Sequence, residues 1–347
     1  MALSKIDVAN MVENQMPQAN VADNVKFRNI IINGDMSIAQ RGTSFSGLTA
    51  SQYTIDRHRF GITTAGTWTI SQSTDVPTGQ GFSKSMKWDC TTADASLAAS
   101  DNLLYQTRLE GQNLQYLKKG TSSAESTTLS FWVKSNKTGT YTAEIYDQDN
   151  TRQISKTYTI SSADTWEKKT ITFAGDTTGA LDNDNAVSLF AQFWLGSGST
   201  YSSGTLSTTW TANTNANRAV GQVNLADSTN NEWYITGVQL EAGQVASDFE
   251  FLPTDVNLLR CQRYCYAYAQ YGDGDVSGNR QYSATYSTTA AFIRIHYPTQ
   301  MRVEPTITYA AAGGALATDY STPSNLQFYD SDDVAWRIYD VLAEAEL

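Results

Sequence analysis

The chain of 347 residues contains 24 Lys and Arg residues against 35 Asp and Glu residues, a formal charge of −11 at pH 7. A charge of this sign provides no surface-wide field that attracts phosphates, which argues against nucleic acid as a partner. Only 17% of the residues are charged, 11% are aromatic and 23 are glycine. With its frequent Thr and Ser this composition favours strands over helices, so we predict an all-β protein long enough for two domains.

Residues 1–26 are predicted to hold a short helix and a polar linker. Ser4 is a suitable N-cap, apolar residues follow at helical spacing over 5–15, and Pro17 ends the pattern. A helix of this length is marginal alone, so we expect it to dock on a partner surface. No apolar stretch has the length of a signal-peptide core or a membrane span, so neither export by a signal peptide nor membrane insertion is expected.

From Phe27 the hydrophobic period changes to two. Apolar side chains share one face in "SMKWDC", "LSFWVK" and "VSLFAQFW", which predicts strands with one buried face. An opening strand is expected at 29–32, followed by a turn at Asn33 and Gly34. Further strand candidates are 53–60, 67–72, 103–109, 140–146, 156–160, 167–173 and 233–240. Their number and spacing predict a two-sheet sandwich over residues 27–256.

A second, smaller β-domain is predicted over residues 257–347. Alternation is lost in "EAGQVASDFEFLPTD" and returns in "QYSATYS", "AFIRIHY" and "YPTQMRVEPTITY", with a last strand near 336–342. Cys261 and Cys265 are expected on one strand, roughly 13 Å apart, which is too far for a disulfide. With only three cysteines in the chain, this favours assembly in a reducing compartment.

No catalytic residue, cofactor or metal ligand is predicted. The only histidines, His58 and His296, lie in strand-like runs without a nucleophile motif, so we interpret both as structural. The Cys and His spacing does not fit zinc. "DGDVSG" at 273–278 matches the first half of a calcium loop, but its twelfth position is Ala284, and "DQDNT" and "DNDN" lack the turn glycine. Calcium binding at these acidic loops remains open.

Five aromatic residues are candidates for carbohydrate contact. Two lie opposite the apolar faces of their strands, one begins a strand, and two lie in loops: Trp132, Trp194, Trp166, Tyr201 and Trp210. Flat rings on a sandwich can stack on sugars while neighbouring polar groups fix the hydroxyls. The alternative is that each ring is covered by a loop, by the second domain or by another subunit.

A series of motifs over 27–266 resembles bacteriophage tail-fibre-like virion proteins with a carbohydrate-binding-module-like jelly roll. The series is "FRNIIINGDMSIAQRGTSF", "YTIDRHRF", "LSFWVKS", "TWEKKTITF", "WYITGVQLEAGQVASDFEF" and "LLRCQRYCY". We interpret the opening motif as structural. A second short segment is expected to carry Gln40 and Arg41 towards the sheet, where Asp56, Arg57 and Arg59 are expected to supply buried charge partners.

The resemblance implies a virion appendage. Residues 1–26 would attach it to other virion proteins, the jelly roll of 27–256 would contact host surface polysaccharide, and 257–347 would be a flanking β-domain. The assembly expected is a closed homotrimer, made in the host bacterial cytoplasm and carried on the tail or capsid. Three alternatives stay open: a head fibre, decoration or adaptor protein without glycan binding; a polysaccharide depolymerase; and a free-standing carbohydrate-binding module.

Overall fold

The structure is a computed structural model that describes residues 27–268, 281–282, 284–287, 290–312, 317–330 and 337–347. Within these ranges the predicted all-β fold is confirmed, because antiparallel sheets carry the architecture and the only α-helices are Ser199–Ser202 and Thr254–Gln262. The helix predicted in residues 1–26 and the acidic loop at 273–278 lie outside the described residues. No helix among the described residues has the length and apolar character to cross a membrane.

Two facing sheets form the sandwich. Its strands are β1 (Ser44–Leu48), β2 (Gln52–Tyr53), β3 (Arg59–Thr63), β4 (Thr67–Ser73), β5 (Ser85–Thr92), β6 (Asn102–Glu110), β7 (Thr127–Ser135), β8 (Gly139–Asp147), β9 (Arg152–Ile160), β10 (Glu167–Phe173), β11 (Val187–Ser197), β12 (Thr211–Ala212) and β13 (Glu232–Ala242). The first sheet has the order β1-β4-β5-β13-β7-β10, and the second has the order β12-β9-β8-β11-β6-β3-β2. Successive strands pass repeatedly from one sheet to the other, as in a jelly roll.

The core lies between the sheets, where the predicted apolar faces meet. Trp88 of the first sheet packs edge-on against Trp233 with ring centroids 6.1 Å apart, and Phe131 packs against Phe193 of the second sheet at 4.9 Å. All four rings are fully buried. Each such side chain contributes roughly 1.5–3 kcal/mol through burial, so this aromatic layer holds the two sheets in fixed positions.

The opening motif is not a strand, contrary to our prediction for 29–32. The side chain of Asn29 takes the place of a strand ladder, because its Oδ1 accepts from Leu240 N at 3.1 Å and its Nδ2 donates to Val238 O at 3.1 Å. The predicted turn at Asn33 is present, with φ of 60°. Asn33 Nδ2 donates to Ile38 O at 2.9 Å. The motif is therefore held against β13 by hydrogen bonds between side chains and main chain.

The strand predicted at 53–60 is interrupted by a turn. Residues 54–58 reverse the chain between β2 and β3, with Thr54 N donating to His58 O at 3.0 Å. Arg57 adopts a left-handed φ of 71°. This reversal turns Asp56 and Arg57 inward, which alternation along one strand does not anticipate.

His58 is a fully buried structural residue. Its Nε2 lies 2.8 Å from Asn33 O, and its Nδ1 lies 2.7 Å from the hydroxyl of Tyr105. The pKa of His58 is lowered to about 4, chiefly by burial, which outweighs the opposing hydrogen bond to Asn33 O and is aided by the nearby charge of Arg57. The imidazole is therefore neutral at pH 7.

We expect His58 alone to remove about 3 kcal/mol of the free energy of unfolding as the pH falls from 7 to 4. The unfolded chain protonates this imidazole below pH 6.5, whereas the folded chain does so only near pH 4. Acid therefore favours the unfolded state throughout that window. Urea unfolding of the wild type and of His58→Gln at several pH values measures the effect, because glutamine does not titrate. Equal pH slopes for the two proteins would contradict the assignment.

The C-terminal region has its own sheets and core. Its strands are β14 (Cys265–Ala267), β15 (Gln281–Tyr282), β16 (Ala284–Ser287), β17 (Ala290–His296), β18 (Thr306–Ala312), β19 (Ala317–Ser321), β20 (Asn325–Asp330) and β21 (Arg337–Glu344). One sheet has the order β14-β21-β15 with β18 also on β21, and the other has the order β16-β17-β20-β19. Ile293, Phe328 and Val341 are among its buried residues. The domain division itself remains a prediction, and the helix Thr254–Gln262 crosses the expected boundary.

The prediction that Cys261 and Cys265 share a strand is wrong. Cys261 lies in the helix Thr254–Gln262, whereas Cys265 begins β14. Both are free and buried, as is Cys90. Burial raises the pKa of the Cys261 and Cys265 thiols well above their ordinary value, so neither is a reactive thiolate at neutral pH.

A group of charges, which we call the charge seam and which is buried except for the 36% exposed side chain of Glu344, joins the opening motif to the end of β21. It consists of Arg41, Asp56, Arg57, Glu344 and Glu346. Arg41 Nε lies 2.6 Å from Glu344 Oε1, and its Nη2 lies 2.9 Å from Glu346 Oε1. The predicted pairing of Arg41 with Asp56 is confirmed at 3.8 Å, and Arg57 pairs with Glu346. Arg59 lies outside the seam and donates to Gln106 instead.

Candidate functional site

A row of polar side chains crosses four neighbouring strands on the outer face of the second sheet. The strand register places Arg59 opposite Gln106, Gln106 opposite Gln192, and Gln192 opposite Glu144. Arg59 Nη1 donates to Gln106 Oε1 at 2.9 Å, and Gln106 Nε2 donates to Gln192 Oε1 at 2.7 Å. Gln192 Nε2 then donates to Glu144 Oε2 at 2.6 Å. We call this continuous chain of hydrogen bonds the polar ladder.

Glu144 anchors the ladder and is fully compensated. Trp194 Nε1 donates to its Oε2 at 2.8 Å. Arg218, which caps the 3-10 helix Asn215–Asn217, donates Nε to Oε1 at 2.9 Å and Nη2 to Oε2 at 3.1 Å. Glu144 is only 1% exposed. Its oxygens are therefore occupied, and its part is to fix the ladder and Arg218 in place.

A pair of stacked rings stands along one side of the ladder. Phe190 of β11 and Tyr146 of β8 have centroids 5.7 Å apart and planes 23° apart. The guanidinium of Arg108 lies 5.0 Å from the Phe190 centroid, and that of Arg218 lies 4.8 Å from the Tyr146 centroid. This arrangement holds two guanidinium groups at set positions beside the ladder.

Trp194 and Tyr201 stand on the other side of the ladder. Trp194 points outward from β11 as predicted, but the short helix Ser199–Ser202 places Tyr201 over it, with centroids 5.1 Å apart and planes 46° apart. Trp194 is consequently 1% exposed, whereas Tyr201 is half-buried. A ligand approaching from solvent meets Tyr201 first.

An open trough of about 260 Å³ lies over the polar ladder between these rings. We call this surface the trough; its lining residues are Asn102, Leu104, Gln106, Tyr146, Gln148, Phe190, Gln192, Trp194, Tyr201 and Arg218. None of them is a carboxylate or a histidine. The trough therefore offers amide and guanidinium hydrogen bonds and aromatic surface to a ligand, without a pair of acid and base groups.

Trp132 and Trp166, by contrast, lie on the first sheet. Trp132 is half-buried on the outer face of β7, where its register partners are Lys168 and Thr236. Trp166 donates Nε1 to Asp75 Oδ1 at 2.9 Å. Lys134 also pairs with Asp75, and these bonds outweigh the effect of burial and lower the pKa of Asp75.

Trp210 lies apart from both of these surfaces. It donates Nε1 to Ala174 O at 2.7 Å, and its ring centroid lies 4.7 Å from Lys119 Nζ. Lys119 is the centre of a buried ion cluster, which we call the Lys119 cluster. Its Nζ pairs with Asp147 and with Asp176, the latter at 2.9 Å. Trp210 thus covers a structural ion cluster, while the structure brings Trp194 and Tyr201 together at the trough.

Among the residues that the structure describes, no group of three or more His, Cys, Asp and Glu side chains is arranged to hold a metal ion. In the acidic loop at 147–150, Asp147 is engaged by Lys119 and by Asn150. In the loop at 182–185, Asp184 accepts from Ala186 N at 2.9 Å. These carboxylates serve the local fold.

The ladder residues Gln106, Glu144 and Gln192 were missed by the sequence reasoning. Each is a polar residue on the outer face of a strand with buried neighbours on either side: "YQT", "AEI" and "AQF". Such isolated polar residues within hydrophobic strands are the signal that was available. Only the cross-strand register shows that they meet.

Comparison with solved structures gives distant matches. The tailspike protein 4 enzymatically active domain of bacteriophage CBA120 matches with a TM-score of 0.33 and 13% identity over 62% of this chain, which spans 21% of that chain. The CBM22-1–GH10 modules of Clostridium thermocellum xylanase 10B, complexed with xylohexaose, match with a TM-score of 0.31 and 12% identity over 63% of this chain and 29% of that one. A family 11 carbohydrate-binding module from the same species, in complex with a β-1,3-1,4-mixed-linked tetrasaccharide, gives 0.28 and 12% over 61% of this chain and 95% of that one.

No protein-family model matches the chain, and no curated protein matches it by sequence. At TM-scores of 0.28 to 0.33 the structural matches carry no argument for function. The trough is therefore the feature from which a function is inferred.

Proposed function

We propose that the protein binds a glycan in the trough, as part of a bacteriophage virion appendage. The observation that carries the binding proposal is the polar ladder, a hydrogen-bonded row that runs from Arg59 to Glu144 and Arg218 beneath an open trough. Its groups are fixed by a rigid sheet before any ligand arrives. Such preorganisation lowers the entropy cost of binding.

The trough has the donors that sugar hydroxyls need. Gln106, which is 7% exposed, uses one N–H of its carboxamide within the ladder and keeps a second N–H, while Gln192, at 1% exposed, holds Gln106 in place. Exposed Gln148 and half-buried Asn102 add amides at the rim. The half-buried ring of Tyr201 offers the aromatic contact. Binding in place of cleavage is proposed because the lining holds no carboxylate pair of the kind that glycoside hydrolysis requires.

The virion part of the proposal is supported by the sequence motifs. We infer a homotrimer that is attached to the particle through residues 1–26 and assembled in the host bacterial cytoplasm. Several copies on one particle would turn weak glycan contacts into useful avidity. The alternative without glycan binding, a head fibre, decoration or adaptor protein, is decided by the following experiment.

Tyr201→Ala is expected to weaken binding of the labelled full chain to cells of a permissive host about tenfold. Tyr201→Phe, which keeps the ring, is expected to bind nearly as the wild type does. Tyr320→Ala is the control, because Tyr320 is 54% exposed on β19 and lies outside the trough. Binding is measured before and after enzymatic removal of surface polysaccharide.

Saturable binding that disappears on removal of the polysaccharide, together with the Tyr201→Ala loss, supports the proposal. If Trp166→Ala abolishes binding while Tyr201→Ala does not, the first sheet carries the site and the trough assignment is wrong. Absence of binding to every permissive host by a folded protein would favour the purely structural virion component.

A further inference from the structure

A second cavity, of about 370 Å³, lies where the sandwich meets the helix Thr254–Gln262. We call it the junction cavity; its lining comes from the opening motif, the end of β6, the 3-10 helix Gly111–Asn113 and the residues around Tyr264. Its volume falls in the range of small-molecule sites. Arg108 lines this cavity and also lies over the Phe190 ring of the trough.

The junction cavity is lined by four arginines and a single carboxylate. Arg263 uses that carboxylate, because its Nε and Nη2 lie 2.9 and 2.8 Å from the oxygens of Glu110. Arg57 is paired with Glu346 in the charge seam. Arg108 and Arg260 lie within salt-bridge distance of no Asp or Glu side chain among the described residues.

The bonds that these two arginines do make leave N–H groups unused. Arg108 donates Nη1 to Leu347 O at 2.7 Å. Among the described residues, the one hydrogen bond of the Arg260 guanidinium is from Nη2 to Asn29 O at 3.3 Å, which is a long contact. A guanidinium has five N–H donors, so several remain at the cavity wall.

The electrostatics of Arg260 show that its charge is poorly compensated. Burial lowers its pKa below the ordinary value, and the more distant Glu250 only partly offsets this effect. Arginine nevertheless stays protonated, so the cavity retains a desolvated positive charge. An anion placed against it recovers the electrostatic free energy that burial removed.

We propose that the junction cavity binds the carboxylate or phosphate group of a small anionic ligand through Arg260 and Arg108. Planar guanidinium groups suit both kinds of group because they form paired N–H to O bonds. Tyr116, Tyr264 and Ile30 supply an apolar wall for the carbon skeleton of the ligand. The chain as a whole has a formal charge of −11, whereas the lining of this cavity carries a net positive charge.

Calorimetric titration of the full chain with glucuronate, glucose 6-phosphate and glucose tests this proposal. We expect one or both anions to bind and neutral glucose to bind at least tenfold more weakly, and the preferred anion identifies carboxylate or phosphate as the group recognised. Arg260→Gln should weaken anion binding roughly 10- to 100-fold. Arg294→Gln makes the same charge change at an exposed position on β17 and should bind as the wild type does.

A measurement on the wild type alone keeps the test independent of any folding defect in Arg260→Gln. Raising the ionic strength should weaken binding of the anions, because screening acts on a charge interaction. Equal affinity for glucose and the anions, no binding of either anion, or wild-type affinity in a folded Arg260→Gln variant would each overturn the proposal. Tyr201→Ala should leave this binding unchanged, so failure here is distinguishable from failure of the glycan proposal.

Discussion

Replacement of Glu346 by alanine is expected to lower the free energy of unfolding by about 3–5 kcal/mol. The side chain of Glu346 is 7% exposed and pairs with two arginines whose side chains are 5% and 4% exposed, Arg41 and Arg57. Arg41 keeps Glu344 and Asp56 after the change. Arg57 loses its one carboxylate partner among the described residues, so a buried charge is left without compensation.

Urea unfolding of Glu346→Ala beside Glu304→Ala measures this effect. Glu304 is exposed and has no salt bridge among the described residues, so its removal should change stability by no more than about 0.5 kcal/mol. A double-mutant cycle with Arg57→Ala isolates the pair, because Arg57 and Glu346 should show a coupling energy on the order of 1–3 kcal/mol. Similar midpoints for the two glutamate variants would show that the seam does not hold the C-terminal sheet.

Lys119→Met is expected to destabilise the sandwich by a similar amount, about 3–5 kcal/mol. The Lys119 side chain is 5% exposed, and its Nζ donates to Asp147, to Asp176 and to Gly179 O. Methionine fills most of the volume but leaves Asp147 buried without a cation. Asp176 keeps Arg152, whose Nε lies 2.6 Å from its Oδ2.

The matched control for this prediction is Lys168→Met, because Lys168 is an exposed lysine on β10 without a salt bridge among the described residues. Thermal and urea unfolding of both variants should separate them clearly, with the control close to the wild type. If Lys119→Met unfolds with the same midpoint as Lys168→Met, the ion pairs of the Lys119 cluster are exposed to solvent and do not stabilise the sandwich.

Much of the sandwich could be predicted from its sequence because local alternation reports which face is buried. The strand expected at 167–173 has those bounds in the structure, and the apolar face of β11 lies inward as expected. The prediction of an opening strand was wrong because the side chain of Asn29, in place of a main-chain ladder, bonds to β13. The apolar residues at 30–32 gave no sign of this. β1 was missed because "SFSGL" is mostly exposed and has no clear alternation.

The candidate site was less predictable, since it depends on register. Alternation correctly placed Trp194 on the outer face, yet it gave no sign that Tyr201 covers the ring. Gln106, Glu144 and Gln192 lie on three strands that are adjacent in space and far apart along the chain. Side-chain chemistry at these positions becomes meaningful only after the strand order of the sheet is known.

The charge seam also has a consequence for protein synthesis. Arg41 finds its partners 303 and 305 positions later, at Glu344 and Glu346. A ribosome delivers the opening motif long before those glutamates, so on a nascent chain Arg41 has only Asp56 among the carboxylates of the seam, and Arg57 has none, until residues 344 and 346 have been made. The pairs of Arg41 and Arg57 with Glu346 therefore form only after all thirteen strands of the sandwich have been synthesised. The seam thus makes synthesis of Glu344 and Glu346 a condition for its full set of ion pairs.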